Sequence, residues 1–282
     1  MSKIQIGTSG YSYAEWVGPV YPVGTHSREF LSHYAERFPT VELNFSYYRM
    51  PRAEQLARLL EKAGPTLTFA IKAHESLTHK IDPAAWQDSA KAFLEALEPV
   101  RKANRLEAVL FQFPYSFHYE PEKRRYLDKL LGQFQDVPAA VEFRNNQWYR
   151  NRVIEALRER NRALVSLDMP SVPGLPPTLD AVTAPLAYIR LHGRNQETWW
   201  GTDAAARYDY QYSDTELEAW KERIKRIVVT ADKVLVYFNN HPKGQAAQNA
   251  QTLTRMLEGS SELAKVPVAS LRYTQIRRII NL

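Results

Sequence analysis

Four side chains that could transfer protons or stabilise negative charge stand at the ends of short apolar segments. The predicted catalytic residues are Glu42, Glu142, Lys72 and His192. A carboxyl group can act as a general acid or base, and an ammonium or imidazole can stabilise an oxyanion. A neighbouring lysine would lower a carboxylate pKa and burial would raise it, so the sequence leaves the protonation states open. The set predicts general acid–base chemistry.

A second set of residues has side chains suited to substrate binding. We expect the amides to orient hydroxyl groups, the arginines to hold an anion and the aromatic rings to wall a pocket. The predicted substrate-binding residues are Asn44, Gln112, Arg144, Arg190, Arg194, Asn239, Asn240, Tyr48, Trp16, Trp148 and Trp199.

Short apolar runs rich in β-branched residues indicate the strands that would position these side chains. The predicted strands are Ile4–Gly7, Thr40–Asn44, Thr68–Lys72, Ala108–Gln112, Ala139–Glu142, Ala163–Leu167, Leu186–Leu191 and Lys233–Phe238. Because helix-period segments separate them, the strands should be parallel with right-handed crossovers. Eight such units predict an α/β fold, a single (β/α)8 TIM-type barrel over residues 1–282 with elaborated βα loops. A doubly wound open sheet is the alternative.

The segments between the strands have the spacing of amphipathic helices. The predicted helices are Glu54–Lys62, Trp86–Ala103, Lys123–Phe134, Asn151–Arg160 and Thr215–Val229, and a further helix begins near Gly244. Ser213 is a predicted N-cap. Met169–Pro177 and Gly193–Tyr212 are longer polar stretches. Too few strands follow Met169–Pro177 for another sheet domain, so both stretches are interpreted as elaborated loops.

Alternation along each strand predicts which side chains enter the barrel. If the apolar residues face the helices, the polar candidates face inward at the C-terminal ends of the strands, where barrel enzymes carry out catalysis. For the sixth strand, Val165 and Leu167 would face outward, which places Ser166 and Asp168 inside. Tyr and Trp residues are concentrated in the βα loops at this same end, as a ligand pocket requires.

A purely structural role for the charged residues is the competing interpretation. Three acids could pair with three bases in a buried network that holds the barrel mouth rigid. The acids are Glu42, Glu142 and Asp168, and the bases are Lys72, Arg144 and Arg190.

Composition narrows the class of protein further. The chain has 282 residues, of which 44% are hydrophobic and 24% charged, as in a globular protein with a substantial core. It contains no cysteine, which excludes disulfides, thiolate metal sites and cysteine nucleophiles. Residues Met1–Ile6 lack the apolar core of a signal peptide, so we expect a cytoplasmic protein that does not contact membranes. The net charge of +6 is compatible with an anionic ligand.

Several segments, taken together, resemble the YecE-like family, the bacterial domain of unknown function 72. They are Gly7–Tyr11 with Trp16, Glu42–Tyr48 with Pro51, Phe69–Lys72 with Thr78 and His79, Gln112–Pro114 with Phe117, Val141–Arg144 with Trp148, Tyr188–Arg194, and Tyr237–His241 with Ala246, Asn249 and Ala250. The resemblance covers nearly the whole chain. It implies a single TIM-type barrel and supplies no reaction, because the family has no assigned substrate.

The loops after the seventh and eighth strands predict an anion site. Barrels often hold a phosphate there, at the N-terminus of a short helix. Arg190 and Arg194 could clamp the anion, with backbone N–H groups near Gly244 as further donors. The alternative is that Arg190 pairs with Glu142 and that the Asn239–Asn240 amides only satisfy loop carbonyls.

The sequence therefore predicts an enzyme acting on a small anionic metabolite, including phosphorylated ones, or on a polyhydroxylated one. No cofactor is predicted. A divalent metal bound by Glu142, Asp168, His192 and His74 stays open as an isomerase or hydrolase alternative. A second alternative is a single-stranded nucleic-acid or nucleotide-binding module that uses aromatic residues and basic runs such as Arg272–Arg278. Oligomeric state is not predicted.

Overall fold

The fold is described from a computed structural model that covers residues 3–201 and 203–259. The basic run Arg272–Arg278, and the parts of the predicted domain at both ends of the chain, lie outside the described residues.

Parallel strands form one continuous sheet at the centre of the structure. Its nine strand segments are β1 (Ile4–Ser9), β2 (Thr40–Leu43), β3 (Thr68–Lys72), β4 (Leu106–Phe113), β5 (Ala139–Phe143), β6 (Ala163–Leu164), β7 (Ser166–Asp168), β8 (Leu186–Leu191) and β9 (Lys233–Phe238). Their order is β6-β5-β4-β3-β2-β1-β9-β8-β7, and every registered pair is parallel.

The sheet closes because its two end segments are consecutive in the chain. Only Val165 separates β6 from β7, and its backbone N–H donates to the carbonyl of Val141 at 3.0 Å. The first segment pairs with β5 and the second with β8, so the pair serves as one interrupted sixth strand. The predicted (β/α)8 barrel is confirmed, and the open-sheet alternative is wrong.

Helices cover the outside of the barrel. They are α1 (Phe30–Ala35), α2 (Phe45–Tyr48), α3 (Ala53–Lys62), α4 (Trp86–Lys102), α5 (Pro121–Gln133), α6 (Asn151–Glu159), α7 (Ala204–Tyr208), α8 (Asp214–Thr230) and α9 (Gln245–Glu258). All six helices expected from the sequence are present within two residues of their predicted bounds. The predicted N-cap Ser213 accepts a hydrogen bond from the N–H of Glu216, and its own N–H donates to the Glu216 carboxylate.

The sixth βα connection contains no helix among its described residues. Residues 169–185 form a loop there, as the Met169–Pro177 composition predicts. The loop packs back onto the barrel mouth, where the N–H of Asn146 donates to the carbonyl of Gly174 at 3.0 Å. Leu175 is thereby buried.

Two apolar layers hold the barrel together. The outer layer joins the strands to the helices through side chains such as Val41, Phe111 and Val141. The inner layer fills the barrel, where small residues such as Ala70 and Ala108 leave room for larger ones. The inward and outward alternation predicted from the sequence is confirmed for the strands that carry these residues, β2 to β5.

For the sixth strand the predicted alternation is wrong. Val165 and Leu167 belong to the inner layer, so Asp168 faces the helices, where Trp220 of α8 donates its indole N–H to the Asp168 carboxylate. Arg194 donates to both oxygens of the same carboxylate, at 2.8 and 2.6 Å. An acid can occupy this outward position because these donors satisfy it.

None of the helices in the described part of the chain has both the length and the apolar character needed to span a bilayer.

Candidate active site

Arg190 lies at the centre of a buried charged cluster at the C-terminal end of the barrel. Its Nη1 donates to Glu142 Oε2 at 2.6 Å and its Nη2 to Glu42 Oε1 at 2.7 Å. Both carboxylates have no solvent exposure, and Arg190 is 2% exposed. Three charges buried to this degree are tolerated only because each is paired and hydrogen-bonded. We call Glu42, Glu142 and Arg190 the charged floor.

A tyrosine of β8 adds a hydrogen bond to the charged floor, whereas Nε of Arg190 is buried without a hydrogen-bond partner among the described residues. The hydroxyl of Tyr188 donates to Glu42 Oε2 at 2.6 Å. Burial alone would raise the pKa of Glu142, but Arg144, Arg190 and His192 together hold that pKa well below its ordinary value. Burial lowers the pKa of Arg190, but Glu142 and Glu42 outweigh it and leave the pKa raised. Glu142 and Arg190 are therefore held in their ionised forms.

Arg144 connects the charged floor to the space above it. Its Nε donates to Glu142, and its Nη2 lies 3.2 Å from Nε2 of His192. Burial and the positive charges of Arg144 and Arg190 hold the pKa of His192 well below its usual range, so the imidazole is neutral. Asn239 supports the far side of that ring, with its amide 3.0 Å from Nδ1. Arg144 is thus held in one orientation from below.

Lys72 lies at the edge of this cluster without a carboxylate partner. Its Nζ donates to Gln112 Oε1 at 2.8 Å and lies 4.2 Å from the ring centroid of Tyr47. Within the described ranges, no carboxylate oxygen lies within the 4.0 Å salt-bridge limit of this ammonium. Burial, together with the positive charge of Arg190, lowers the pKa of Lys72 to about 7.

A cavity of about 220 Å3 opens above the charged floor. Ten described residues line it: His79, Gln112, Pro114, Tyr115, Arg144, Leu175, Trp199, Trp200, Arg207 and Tyr208. Two of these are arginines and none is acidic. Burial and the charge of Lys72 lower the pKa of His79 to about 4, so this imidazole adds no positive charge at neutral pH.

Aromatic rings fix the arginines of the cavity. The guanidinium groups of Arg144 and Arg207 lie 5.7 and 5.9 Å from the ring of Trp199. Tyr208 contacts the same indole edge-on, with 6.3 Å between ring centroids. Nε of Arg207 is buried and has no hydrogen-bond partner among the described residues, while its Nη2 donates to the carbonyl of Gly201.

Comparison with known proteins places the chain in a family. Residues 5–271 match the family model described as "Protein of unknown function DUF72". The chain belongs to the DUF72 family. A curated relative, the UPF0759 protein YunF of Bacillus subtilis, is 30% identical over 270 residues, which is 90% of this chain and 95% of the relative. The UPF0759 protein YecE of Escherichia coli K12 is 28% identical over 148 residues, about half of each chain.

Solved structures agree with this placement. A DUF72 protein of Thermotoga maritima shares 36% identity with a TM-score of 0.83, covering 91% of this chain and all of that one. A DUF72 protein of Enterococcus faecalis shares 29% identity with a TM-score of 0.81, covering 90% and 95% of the two chains. A D-psicose 3-epimerase of Clostridium cellulolyticum, at 8% identity and a TM-score of 0.53, shares the fold alone.

In this DUF72 protein the two arginines of the predicted anion clamp diverge. Gly193 adopts a left-handed φ of 88° between them, and a Cβ there would lie 2.6 Å from Cβ of Tyr210. This turn places Arg190 in the charged floor, whereas Arg194 lies outside the barrel, bound to Asp168 and, at 2.9 Å, to Glu216. The predicted clamp is not formed, and the alternative pairing of Arg190 with Glu142 is confirmed.

The remaining predicted residues divide into two groups. Gln112, Arg144 and Trp199 line the cavity. Four others do not line the cavity. The indole of Trp16 donates to the carbonyl of His241, and the indole of Trp148 donates to the carbonyl of Phe117. Asn240 donates to the carbonyl of Tyr210, and Tyr48 is exposed with its ring against Tyr47. Asn44 is half-buried beyond β2, and its Oδ1 has no hydrogen-bond partner among the described residues.

The structural interpretation of the charges is correct only in part. Glu42, Glu142, Arg144 and Arg190 do form a buried network. Among the residues that the structure describes, Asp168 is not part of this network and Lys72 has no acidic partner within salt-bridge distance. The described residues include no group of three or more His, Cys, Asp or Glu side chains arranged to hold a metal, and Asp168 lies on the other face of the barrel from Glu142 and His192.

Cavity residues that the sequence analysis did not assign come from the connections that follow the strands, including the short helix α7. They include His79, Tyr115, Leu175, Trp200, Arg207 and Tyr208. The concentration of aromatic residues in βα loops was a usable signal for three of them, and His79 stands in a segment that carries the family resemblance. No feature of the sequence indicated Arg207, because its position in the cavity depends on how the segment around α7 packs against Trp199.

Replacing Asp168 by Asn is expected to lower the free energy of unfolding by roughly 1–3 kcal/mol, because charge-assisted hydrogen bonds from Arg194 and Trp220 are weakened. Ligand affinity should stay unchanged, since Asp168 does not line the cavity. Thermal denaturation and ligand titration of the same samples measure both quantities. A loss of affinity at unchanged stability would contradict this position for Asp168.

Proposed function

We propose that this DUF72 protein is an enzyme that binds a small organic anion at the C-terminal face of the barrel and transfers a proton with Lys72. One observation carries the proposal. The cavity is lined by two arginines and no described carboxylate, and it adjoins a lysine whose pKa is about 7. Arg144 is paired with Glu142 beneath the cavity, whereas Arg207 has no acidic partner among the described residues, so the lining keeps a positive charge that favours an anionic ligand. An amine that titrates near neutrality suits proton transfer.

The anion would be bound by Arg144 and Arg207. The bonds to Glu142 and His192 and a cation–π contact with Trp199 orient Arg144 before any ligand arrives. A guanidinium held in this way loses little side-chain freedom when it binds a carboxylate or phosphate through two parallel hydrogen bonds. Arg207 lies over the same indole, with its guanidinium 5.9 Å from the ring centroid, and its Nε has no hydrogen-bond partner among the described residues.

Cavity size limits the substrate class. At about 220 Å3 the cavity is smaller than the roughly 300–1,000 Å3 of pockets for drug-sized ligands. Trp199, Trp200 and Tyr208 offer apolar surface for a short carbon skeleton, and Gln112 offers an amide for a hydroxyl or carbonyl. We therefore propose a small carboxylate or phosphate metabolite as the substrate.

Lys72 takes the role that we first expected of Glu42 and Glu142. Both carboxylates are fully buried and bound to Arg190, so neither is available to a ligand in the cavity. We propose that they are positioning residues that hold Arg190 and Arg144. His192, buried beneath Arg144 and neutral, has the same role.

Replacing Arg207 by Gln is expected to weaken binding of a small anion about 10–100-fold, because a charge-assisted hydrogen bond contributes roughly 1.5–3 kcal/mol. Isothermal titration calorimetry with inorganic phosphate, pyruvate and dihydroxyacetone phosphate measures the affinity. Arg125→Gln, an exposed arginine of α5, is the matched control and should bind as the native protein does.

Proton transfer is measured with the same samples. Proton NMR in D2O follows exchange of the C–H groups next to the carbonyl of pyruvate or dihydroxyacetone phosphate. Equal binding by Arg207→Gln and the control, or no binding of any of the three anions, would overturn the proposed function.

A further inference from the structure

We propose that Lys72 is a nucleophile that forms a Schiff base with an anionic carbonyl substrate, a 2-oxo acid or an oxo-alkyl phosphate. This inference rests on the proposed function, because it places the carbonyl group of the bound anion at Nζ of Lys72. It goes further by assigning covalent chemistry and a substrate class to the site.

The contacts of Lys72 differ from those of the other cations in the cluster. Arg144 and Arg190 both donate to Glu142, whereas Nζ of Lys72 donates to a neutral amide oxygen of Gln112. No carboxylate of the described ranges lies within 4.0 Å to hold the lysine as an ammonium. Lysine is also the member of this trio that can lose its proton, because an arginine stays charged in proteins.

The position of Lys72 gives it access to the cavity. Gln112, 2.8 Å from Nζ, lines the cavity. Tyr47 lies on another side of Nζ, and the ring of Tyr47 contacts His79, a second cavity residue, at 4.8 Å between centroids. Lys72 itself is half-buried, so its side chain is partly desolvated, and Gln112 connects its amine to the cavity.

The state of the amine supports the same chemistry. An ordinary lysine at neutral pH is unprotonated on the order of once in a few thousand molecules. Burial and the nearby Arg190 charge lower the pKa of Lys72 to about 7, so a large fraction is unprotonated. A lysine activated by desolvation and a neighbouring cation is the arrangement that favours attack on a carbonyl carbon.

The covalent step balances without a further reactant. The lone pair of Nζ attacks the carbonyl carbon, and the carbonyl π electrons move to oxygen, which takes a proton from the nitrogen. The carbinolamine hydroxyl then accepts a proton from solvent, equal to the one that the lysine ammonium released before the attack, and leaves as water. The nitrogen lone pair forms a C=N bond in place of the C=O bond, which gives the iminium. Counted from the ammonium form of lysine, one carbonyl is consumed, one water is released and the iminium keeps one of the three ammonium protons.

Charge in the cavity selects the rest of the substrate. Arg144 and Arg207 would hold a carboxylate or phosphate on the same molecule, and the charged floor lies beneath the reacting amine. The iminium would carry its positive charge beside Gln112 Oε1, which already accepts a hydrogen bond from this nitrogen. A neutral aldehyde lacks the anionic group and should react more slowly.

Reductive trapping tests the inference. The native protein is incubated at pH 7.5 with pyruvate, glyoxylate or dihydroxyacetone phosphate and sodium cyanoborohydride, and proteolytic peptides are analysed by mass spectrometry. We expect a reduced adduct on the peptide containing Lys72, formed at least tenfold faster than on any other lysine peptide. Lys72→Arg should abolish it, and Lys129→Arg, an exposed lysine of α5, should not.

The outcomes separate the two proposals. Anion binding by calorimetry without an adduct at Lys72 from any of the three probes would overturn the Schiff base and leave the proposed function in place. Absence of both binding and adduct would overturn both. The adduct rate at Lys72 should rise with pH and level off above about 7, and a rate that keeps rising in parallel with the surface lysines would also overturn the assignment. Peptide mapping of the native protein shows whether Lys72 carries the adduct even if Lys72→Arg fails to fold.

Discussion

Replacing Arg190 by Met is expected to lower the free energy of unfolding by about 3–5 kcal/mol, because Glu42 and Glu142 would then be buried without their shared cation. Urea denaturation, followed by tryptophan fluorescence, measures the loss. Arg160→Gln is the matched control. Its pair with Asp128 is solvent-exposed, so the expected loss is below about 1 kcal/mol.

A combined variant separates charge from packing in this prediction. Adding Glu42→Gln and Glu142→Gln to Arg190→Met removes the two uncompensated carboxylates, and a large part of the lost stability should return. Anion binding should not return, because Arg144 loses the charged partner that orients it. If Arg190→Met were no more destabilising than Arg160→Gln, the charged floor would not be the buried ion network described here.

Replacing Lys72 by Met is expected to stabilise the protein at pH 7 by about 1–3 kcal/mol while abolishing adduct formation. One pKa unit corresponds to about 1.36 kcal/mol, and the pKa of Lys72 falls from 10.5 to about 7 on folding. Part of that gain is offset by the lost hydrogen bond to Gln112 and by the remaining solvent access of the side chain. Thermal and urea denaturation measure the difference.

The stability difference between native protein and Lys72→Met has a defined dependence on pH. Between pH 7 and 10.5 the unfolded chain holds a proton on Lys72 that the folded chain has released. Stability of the native protein therefore rises with pH across this window relative to the variant. The difference should be largest below pH 7 and narrow towards pH 10. A constant difference would mean that Lys72 titrates normally in the folded protein.

The sequence was sufficient to predict the barrel and the convergence of its charges. Period-two alternation places Glu42, Glu142 and Arg190 inside the barrel, because the residues on either side of each in its strand are apolar and pack against the helices. These expectations depend on local geometry, which each strand imposes on its own side chains. The sequence could not predict which of the inward acids would share one arginine, since that depends on distances across the barrel.

The incorrect orientation of the sixth strand and the missed residue Arg207 show what the local sequence pattern cannot predict. Both faces of a parallel barrel strand are buried, so the apolar pattern of Val165 and Leu167 did not decide their orientation. The outward position of Asp168 follows from its partners Trp220 on α8 and Arg194 in the loop after β8, which lie far from it in the chain. The cavity wall around Arg207 depends likewise on the packing of one loop against another.

Two kinds of chain segment, strands and the connections between them, form the barrel mouth. Strand residues supply the charged floor and Lys72, whereas Leu175, Trp199, Trp200 and the residues of α7 reach the cavity from connections that add no strand to the sheet. Changes of length or composition in these connections can alter the shape of the cavity without disturbing the charged floor below it. A barrel of this kind can therefore change the shape of its cavity while its charged floor stays the same.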